Sequence, residues 1–277
     1  MEWITSGKVN DKNNLLPPEL YRKTIIVRGE LINAELKATV MGIYEAVING
    51  KRVGDCYFTP GYTHYETYVQ AQTYNVAALL QQGDNTLDIT VANGWWLGTL
   101  GNKNNRYGSV RGLAAELKLS YADGTTETFG TDESWTVTQD TPTIFADFYN
   151  GEVINLTKQD ESGWKFRPAK RFIGKTPEIT PHLGTFVHED CRLAPVRING
   201  SILDFGQNHA GVLQLIVEAE EGTVITVRHA QILDRNGSLF TRNLRKAKAM
   251  LKLTCKAGVN EFQPRFTYMG FRYAEIT

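Results

Sequence analysis

Residues 93–98, with the sequence Asn-Gly-Trp-Trp-Leu-Gly, place two adjacent indole rings directly after a predicted strand and before a polar loop. Neighbouring side chains of an extended segment point in opposite directions. We therefore expect one of Trp95 and Trp96 to enter the core and the other to stay accessible. A flat indole beside an amide such as Asn93 suits a sugar ring, which has an apolar face and a polar rim. The alternative is that both tryptophans plug the end of a β-sandwich.

A second cluster, residues 145–152, has the sequence Phe-Ala-Asp-Phe-Tyr-Asn-Gly-Glu and mixes aromatic rings with two acids and an amide. Asp147, Tyr149 and Glu152 are therefore further candidates for carbohydrate binding. Carboxylate and amide oxygens are also the ligands that calcium takes, but the spacing does not match an EF-hand loop. Calcium is thus a candidate cofactor, and we assign no metal ligand.

Short motifs for catalysis are missing from the sequence. We find no glycine-rich phosphate loop, no paired-histidine zinc helix and no serine nucleophile elbow. A glycosidase needs two carboxyl groups several ångströms apart across a cleft, and spacing along the chain does not reveal such a pair. We therefore assign no catalytic residue to these 277 residues.

Composition narrows the class of protein. Thirty Lys plus Arg balance thirty Asp plus Glu, whereas a nucleic-acid-binding protein should be clearly basic. The sequence contains no apolar run of the ~18 residues needed to cross a bilayer. Three widely spaced cysteines argue against a disulfide framework. The first residues lack the pattern of a signal peptide, so the expected location is the cytoplasm.

Strand patterns dominate the chain. Residues 34–40 alternate apolar with polar side chains, as a half-buried strand does. Asn49-Gly50 joins two such runs and is a strong signal for a hairpin. Short strands with turn signals between them predict an all-β fold. A helical turn fits only residues 76–82, and the basic segment 242–252 is compatible with either a helix or a strand.

Prolines divide the predicted strands into two groups. Four of the nine prolines fall within residues 164–195, and proline is disfavoured inside strands and helices. We therefore predict two jelly-roll-like β-sandwich domains joined by a Pro-rich connector. The first domain spans residues 1–170, the connector 171–195 and the second domain 196–277.

Several motifs in order resemble the amino-terminal β domains of bacterial α-L-rhamnosidases. In the first half these are residues 42–65, with Ile-Asn-Gly-Lys and Thr-Pro-Gly-Tyr, and the Asn-Gly-Trp-Trp segment. In the second half they are Asp-Phe-Gly-Gln-Asn at 204–208, Arg-His-Ala at 228–230, and the run from Pro264 to Tyr273.

The resemblance implies an inverting hydrolase of terminal α-L-rhamnosyl bonds, whose acid and base lie in an (α/α)₆ barrel. That barrel begins after the Gly-Phe-Arg-Tyr motif, and the sequence ends six residues after Phe271. We therefore expect a non-catalytic β front end, inactive alone, with rhamnose-containing glycosides and the helical catalytic domain as partners. An autonomous, lectin-like rhamnose binder and a purely structural pair of domains are the alternatives.

The resemblance also implies rhamnose binding, with calcium in some members, on the amino-terminal sandwich. Our candidates, chosen by chemistry and loop position, are Asn93, Trp95, Trp96, Asp147, Tyr149 and Glu152. Arg265 and Arg272 are candidate contacts for the barrel, or they cover apolar surface with their stems.

Overall fold

The structure, a computed structural model, describes residues 1–11, 15–101 and 103–277. Strands dominate it, and the all-β prediction is confirmed. The strands of the first part of the chain are β1 (Ile4–Thr5), β2 (Glu19–Val27), β3 (Leu31–Met41), β4 (Ile43–Ile48), β5 (Lys51–Arg52), β6 (Tyr68–Asn75), β7 (Gly83–Ala92), β8 (Gly112–Tyr121), β9 (Thr126–Gly130), β10 (Thr136–Thr138), β11 (Thr143–Asp147) and β12 (Gly151–Asn155).

The remaining strands follow a stretch of short turns. They are β13 (Arg167–Pro168), β14 (Lys170–Arg171), β15 (Glu178–Pro181), β16 (Arg197–Asn199), β17 (Ile202–Gly211), β18 (Leu215–Ala219), β19 (Val224–Ala230), β20 (Met250–Thr254), β21 (Gly258–Phe262) and β22 (Met269–Ile276). One α-helical turn, α1 (Gly94–Leu97), and four 3₁₀ turns at Ala77–Leu79, Leu156–Lys158, Glu161–Gly163 and Arg242–Leu244 complete the described elements.

Two facing sheets form the first sandwich. One has the order β14-β1-β8-β3-β6-β15 with β9 beside β8, and the other has the order β13-β10-β2-β7-β4-β5. Alternation along β3 buries Ala34, Leu36 and Ala38, and these side chains pack with Leu87 and Ile89 from β7 of the opposite sheet. The period-2 pattern of the sequence therefore places one face of each sheet in a shared core.

The Asn49-Gly50 hairpin is confirmed between β4 and β5. Both residues have positive φ, 50° and 77°, as a two-residue hairpin turn of this kind requires. The Asn49 side chain also donates to Asn85 Oδ1 over 2.7 Å, which ties the turn to β7. The predicted helical segment is only a short 3₁₀ turn, Ala77–Leu79.

The second sandwich is less symmetrical. A seven-stranded sheet, β11-β12-β20-β19-β22-β17-β16, is faced by the two-stranded sheet β18-β21. Phe262 from β21 shares a core with Leu251, Leu253 and Phe271 from the larger sheet. The sequence is compatible with either a helix or a strand over the basic segment 242–252. This segment forms one 3₁₀ turn and then enters β20.

The hairpin β11–β12 crosses from the first half of the chain into the second sandwich. β12 pairs in parallel with β20, with Glu152 opposite Leu251 and Ile154 opposite Leu253. The sequence prediction assigned this hairpin to the domain 1–170. Its sheet partners lie about a hundred residues later in the chain, and local patterns carry no signal for such a pairing.

The predicted connector, 171–195, is partly built into the first sandwich. β15 pairs in parallel with β6 and forms one edge of that sandwich. The chain then runs along the surface, where the ring of Phe186 stacks on His182 at 3.9 Å between ring centroids. Within the described residues, none of the helices is both long and apolar enough to span a bilayer.

Candidate carbohydrate-binding site

An open cleft of about 230 Å³ lies where the two sandwiches meet. Residues from three parts of the chain form it: the loop after β7, the turn of the β11–β12 hairpin, and the second sandwich. Ligand sites occur preferentially at such domain junctions. The lining residues are Trp95, Thr99, Leu100, Phe148, Tyr149, Leu244, Ala247, Ala249, Tyr268, Met269 and Gly270.

Aromatic rings dominate one side of this junction cleft. The Trp95 and Phe148 ring centroids are 4.6 Å apart, and Phe148 meets Tyr268 edge-on at 5.5 Å. Phe58 packs behind both, with its centroid 5.5 Å from that of Phe148 and 5.4 Å from that of Tyr268. The Tyr268 side chain remains 41% exposed. The cluster therefore presents apolar ring surface beside the hydroxyl groups of tyrosines, the combination that a sugar ring needs.

A helical turn, α1, positions the two tryptophans. The prediction that this segment is extended is wrong, because it forms a helical turn. The two side chains nevertheless differ in burial: Trp96 is buried and Trp95 is partly exposed at the cleft. Gly94 begins the turn with φ of 51°, and a Cβ there would lie 2.6 Å from Ile43 Cγ2. Trp96 donates its indole N–H to the Val110 carbonyl over 2.9 Å. The glycine and the anchored Trp96 thus fix the direction of Trp95.

Asp147 is buried behind the cleft and holds two of its walls. Its Oδ2 accepts a hydrogen bond from the Thr99 backbone N–H at 2.7 Å. Its Oδ1 accepts from the backbone N–H groups of Tyr149 at 3.1 Å and Asn150 at 2.8 Å. The Asn150 side-chain amide donates to the same oxygen at 2.8 Å. Asp147 therefore connects the loop after α1 to the hairpin turn and faces no solvent.

Tyr149 belongs to the cleft wall itself. Its backbone carbonyl accepts hydrogen bonds from the N–H groups of Lys248 at 2.9 Å and Ala249 at 3.2 Å, both in the second sandwich. Its own N–H donates to Asp147. The backbone N–H and carbonyl of Tyr149 are thus both hydrogen-bonded, and the residue lines the cleft.

Asn93 is buried and serves a polar network in the interior. Its Oδ1 accepts from the Arg111 guanidinium at 2.7 Å, and its Nδ2 donates to the Ala146 carbonyl at 3.2 Å. Arg111 in turn faces Glu19 at 3.3 Å, and both charged side chains are almost completely buried. Asn93 therefore links the first sandwich to the hairpin, and its amide is occupied.

Glu152 is fully buried beneath the junction. One carboxyl oxygen accepts from the backbone N–H groups of Arg265 at 3.1 Å and Phe266 at 3.0 Å, and the other has no partner. Burial raises the pKa of Glu152 to about 7, against the two backbone hydrogen bonds, which lower it. The side chain of Arg265 forms an ion pair with Glu45 of β4, so this contact joins the two sandwiches.

Of the six candidates, Trp95 and Tyr149 line the cleft, and Asp147 lies directly behind it. Asn93, Trp96 and Glu152 are interior residues. Sugar binding by these residues stays a prediction. Sequence reasoning did not select Phe148 and Tyr268, although both lie in the segments that it singled out, and only the fold brings them together.

The acids of this region do not fit calcium. Calcium takes six to eight oxygen ligands, whereas both oxygens of Asp147 already accept N–H groups. One oxygen of Glu152 does the same. Within the described residues, the ligand atoms of His, Cys, Asp and Glu converge in groups of three only at Asp55, Cys56 and His188, none of which lines the cleft.

The fold and site define a class of protein: two β-sandwiches with an aromatic-lined cleft at their junction. The family model for the α-L-rhamnosidase N-terminal domain matches residues 29–172. The model for the bacterial α-L-rhamnosidase concanavalin-like domain matches residues 196–277. The chain therefore belongs to the bacterial α-L-rhamnosidase family, and the resemblance seen in its motifs is confirmed.

Relatives of this chain are much longer. It is 36% identical over 260 residues to an α-L-rhamnosidase of Streptomyces avermitilis, an alignment that covers 88% of this chain and 25% of that protein. The crystal structure of the Streptomyces avermitilis α-L-rhamnosidase complexed with L-rhamnose matches with a TM-score of 0.91 and 32% identity, over 95% of this chain and 27% of that one.

A second crystal structure, that of native α-L-rhamnosidase from Aspergillus terreus, gives a TM-score of 0.92 at 32% identity. It covers 99% of this chain and 34% of that one. The chain thus spans between 25% and 31% of the length of the curated relatives that it matches.

Proposed function

We propose that this chain is the non-catalytic β front end of an α-L-rhamnosidase and binds rhamnosides in the junction cleft. The arrangement of Trp95, Phe148 and Tyr268 around that cleft carries the proposal, because it offers apolar ring surface next to hydroxyl groups. The hydrolysis itself belongs, in this proposal, to a helical domain that the two sandwiches support, and no residue of this chain is assigned a catalytic role.

In this proposal Trp95 and Tyr268 contact the apolar face of the sugar, while the hydroxyl groups of Tyr149 and Tyr268 supply polar partners. Asp147 acts as a positioning residue, because it fixes the backbone of Thr99 and Tyr149 on opposite sides. This division of roles follows from burial: the ring surface is accessible and the carboxylate is not.

A purely structural role is the second candidate function. The internal hydrogen bonds of Asn93, Asp147 and Glu152 favour it, because three of the six predicted sugar ligands already hold the fold together. Under that alternative the aromatic cluster only fastens one sandwich to the other.

Calorimetric titration with L-rhamnose separates the two. We expect saturable heat with the wild type, and an affinity reduced about tenfold or more for Trp95→Ala, since 1.4 kcal/mol of lost contact is a factor of ten. The matched control is Trp164→Ala, a partly buried tryptophan elsewhere that donates to the Lys158 carbonyl. It should leave the affinity unchanged.

Absence of heat at millimolar sugar, or equal affinities for the two tryptophan variants, would contradict rhamnoside binding in the cleft. The same titration with added calcium and then with EDTA tests the metal. Because the oxygens of Asp147 are occupied by N–H groups, we expect binding to persist in EDTA. Loss of binding there would place a calcium ion in the site.

A further inference from the structure

A second group of chemically reactive side chains lies on the first sandwich, and none of its members lines the junction cleft. The loop after β5 carries Asp55 and Cys56, and the surface segment after β15 carries His188. One ligand atom from each lies within 4.8 Å of the other two. Asp55 and Cys56 are consecutive, whereas His188 comes from a distant part of the chain, so the fold brings the histidine to the other two.

The ligand atoms of this group are close enough for one ion to contact all three. His188 Nδ1 is 3.4 Å from Asp55 Oδ2, and the Cys56 thiol donates a hydrogen bond to the other carboxylate oxygen, Asp55 Oδ1, over 3.7 Å. The nitrogen–oxygen distance is long for a hydrogen bond, whose usual range ends near about 3.2 Å. Neighbouring ligands around a tetrahedral zinc ion with bonds of roughly 2.0–2.3 Å are about 3.3–3.8 Å apart.

The two loops are held against each other by the backbone. The Tyr57 N–H donates to the Val187 carbonyl over 2.8 Å, in an isolated antiparallel bridge between the residues that follow Cys56 and precede His188. Arg52 donates to the Cys56 carbonyl over 2.5 Å and lies over the Tyr57 ring. The three side chains are therefore brought together before any ion arrives.

The surface segment is anchored on its other side as well. His182 stacks on Phe186, and its Nδ1 accepts from the side-chain amide of Gln72, a buried residue of β6, at 3.0 Å. Beyond His188 the chain is exposed, and the nearby Glu189 is engaged by Arg192 at 2.5 Å. Three candidate protein ligands thus lie together between two segments that hydrogen bonds connect to the first sandwich, and a water molecule can take the fourth position.

We propose that Asp55, Cys56 and His188 bind a divalent transition-metal ion of the zinc type, which fastens the surface segment 182–188 to the first sandwich. One thiolate, one imidazole and one carboxylate form a donor set that zinc accepts and that calcium and magnesium do not favour. This proposal is independent of sugar binding in the cleft.

Binding forms a zinc–sulfur bond, and the proton of the Cys56 thiol leaves to solvent. The Cys56 thiol donates to Asp55 Oδ1, and the release of its proton on binding is a measurable part of the reaction. The same carboxylate favours the approach of a cation.

Titration of the full chain with Co²⁺ tests the ligand set, because a thiolate ligand gives a charge-transfer absorption in the near ultraviolet. We expect this absorption in the wild type, and its disappearance on addition of Zn²⁺. Cys56→Ser should abolish it. His188→Gln should weaken Zn²⁺ binding by at least the roughly 10–100-fold that loss of an outer-shell partner costs.

Cys191→Ser is the matched control, because Cys191 is an exposed cysteine three residues beyond His188. It should bind both ions as the wild type does. Loss of binding in this variant instead of Cys56→Ser would overturn the assigned ligands. If Cys56→Ser does not fold, His188→Gln carries the test, because this exposed histidine lies outside the core.

Limited chymotrypsin digestion supplies a second readout. Zn²⁺ should slow cleavage after Phe186, inside the fastened segment, in the wild type and in Cys191→Ser, but not in Cys56→Ser. Absence of the charge-transfer band, together with cleavage rates that ignore Zn²⁺, would show that the three side chains are only a hydrogen-bonded cluster.

Discussion

The two sandwiches of this chain bury their cores in different ways. The first places a seven-stranded sheet against a six-stranded one, so each sheet covers the other. The second places seven strands against two, and its larger sheet includes the hairpin β11–β12 from the first half of the chain. The two sheets of the first sandwich therefore cover each other, whereas the second sandwich depends on this borrowed hairpin and on contacts at the junction.

The two sandwiches also differ in how deeply they bury an ion pair. In the first sandwich, Arg111 and Glu19 form a buried ion pair whose remaining polar atoms bond to Asn93 and Tyr21. In the second, Arg272 and Asp204 pair through two contacts of 2.8 and 3.0 Å on a partly exposed strand. Water screens the second pair but not the first, so the two pairs should differ strongly in importance.

Arg111→Met should have the largest effect. Removal of this guanidinium leaves the Glu19 carboxylate buried without its counter-ion, a change that typically costs about 3–5 kcal/mol. Arg272→Met, in the second sandwich, should cost much less. Urea unfolding of both variants measures the difference, and equal losses would refute the contrast between the two sandwiches.

Gly151→Ala comes next and tests the borrowed hairpin. Gly151 has φ of 89°, and a Cβ there would lie 1.7 Å from the carbonyl oxygen of Met250, the first residue of β20. Because the neighbour is backbone, we expect a loss of at least about 3 kcal/mol from strain and a displaced strand.

The control for that variant is Gly124→Ala, in a hairpin turn of the first sandwich. Gly124 has nearly the same φ, 86°, but nothing lies within 4 Å of its would-be Cβ. Its cost should be about 1 kcal/mol, the ordinary penalty of a left-handed residue. Thermal unfolding that gives similar losses for both variants would show that the hairpin is not essential to the second sheet.

Glu152→Gln should have a smaller effect that depends on pH. The pKa of Glu152 is about 7 in the folded chain against an ordinary value of 4.5, because the carboxyl is buried. Between these values the folded chain holds a proton that the unfolded chain has released. The contribution of Glu152 to the free energy of unfolding therefore decreases as pH rises through this window, by on the order of 2–3 kcal/mol.

Glutamine imitates the protonated acid, so the variant should match the wild type near pH 4.5 and exceed its stability above pH 7. His229 acts in the opposite sense, because burial lowers its pKa to about 4 and its contribution increases as pH rises toward 6.5. Because His229 is present in both proteins, its contribution to the free energy of unfolding cancels when the variant is compared with the wild type. Glu35→Gln, at an exposed position of β3, is the control, and a difference for Glu152→Gln that does not vary with pH would contradict the account.

The strands of the first sandwich could be predicted from sequence because their signals are local. Alternation in residues 34–40 and the Asn-Gly turn at Asn49 each depend on a few neighbouring residues, and both are confirmed. The division of tryptophans into one buried and one accessible was also correct, although a helical turn, rather than an extended segment, produces it.

The candidate site could be predicted only in part. Trp95 and Tyr149 are distinguished by residue type, but Tyr268 belongs to the second sandwich and lies beside them in the fold in which β12 pairs with β20. The burial of Asp147 and Glu152 could not be predicted either, because the sequence does not distinguish an acid that faces water from one that faces backbone N–H groups. Long-range pairing and hydrogen-bond partners are thus the missing information.

A crystal structure of this chain with L-rhamnose is the most direct test of the central claim. The account predicts the sugar in the junction cleft, with its apolar face against Trp95 or Tyr268 and its hydroxyl groups near Tyr149 and Thr99. An empty cleft at saturating sugar, or the sugar ordered elsewhere on the first sandwich, would contradict it.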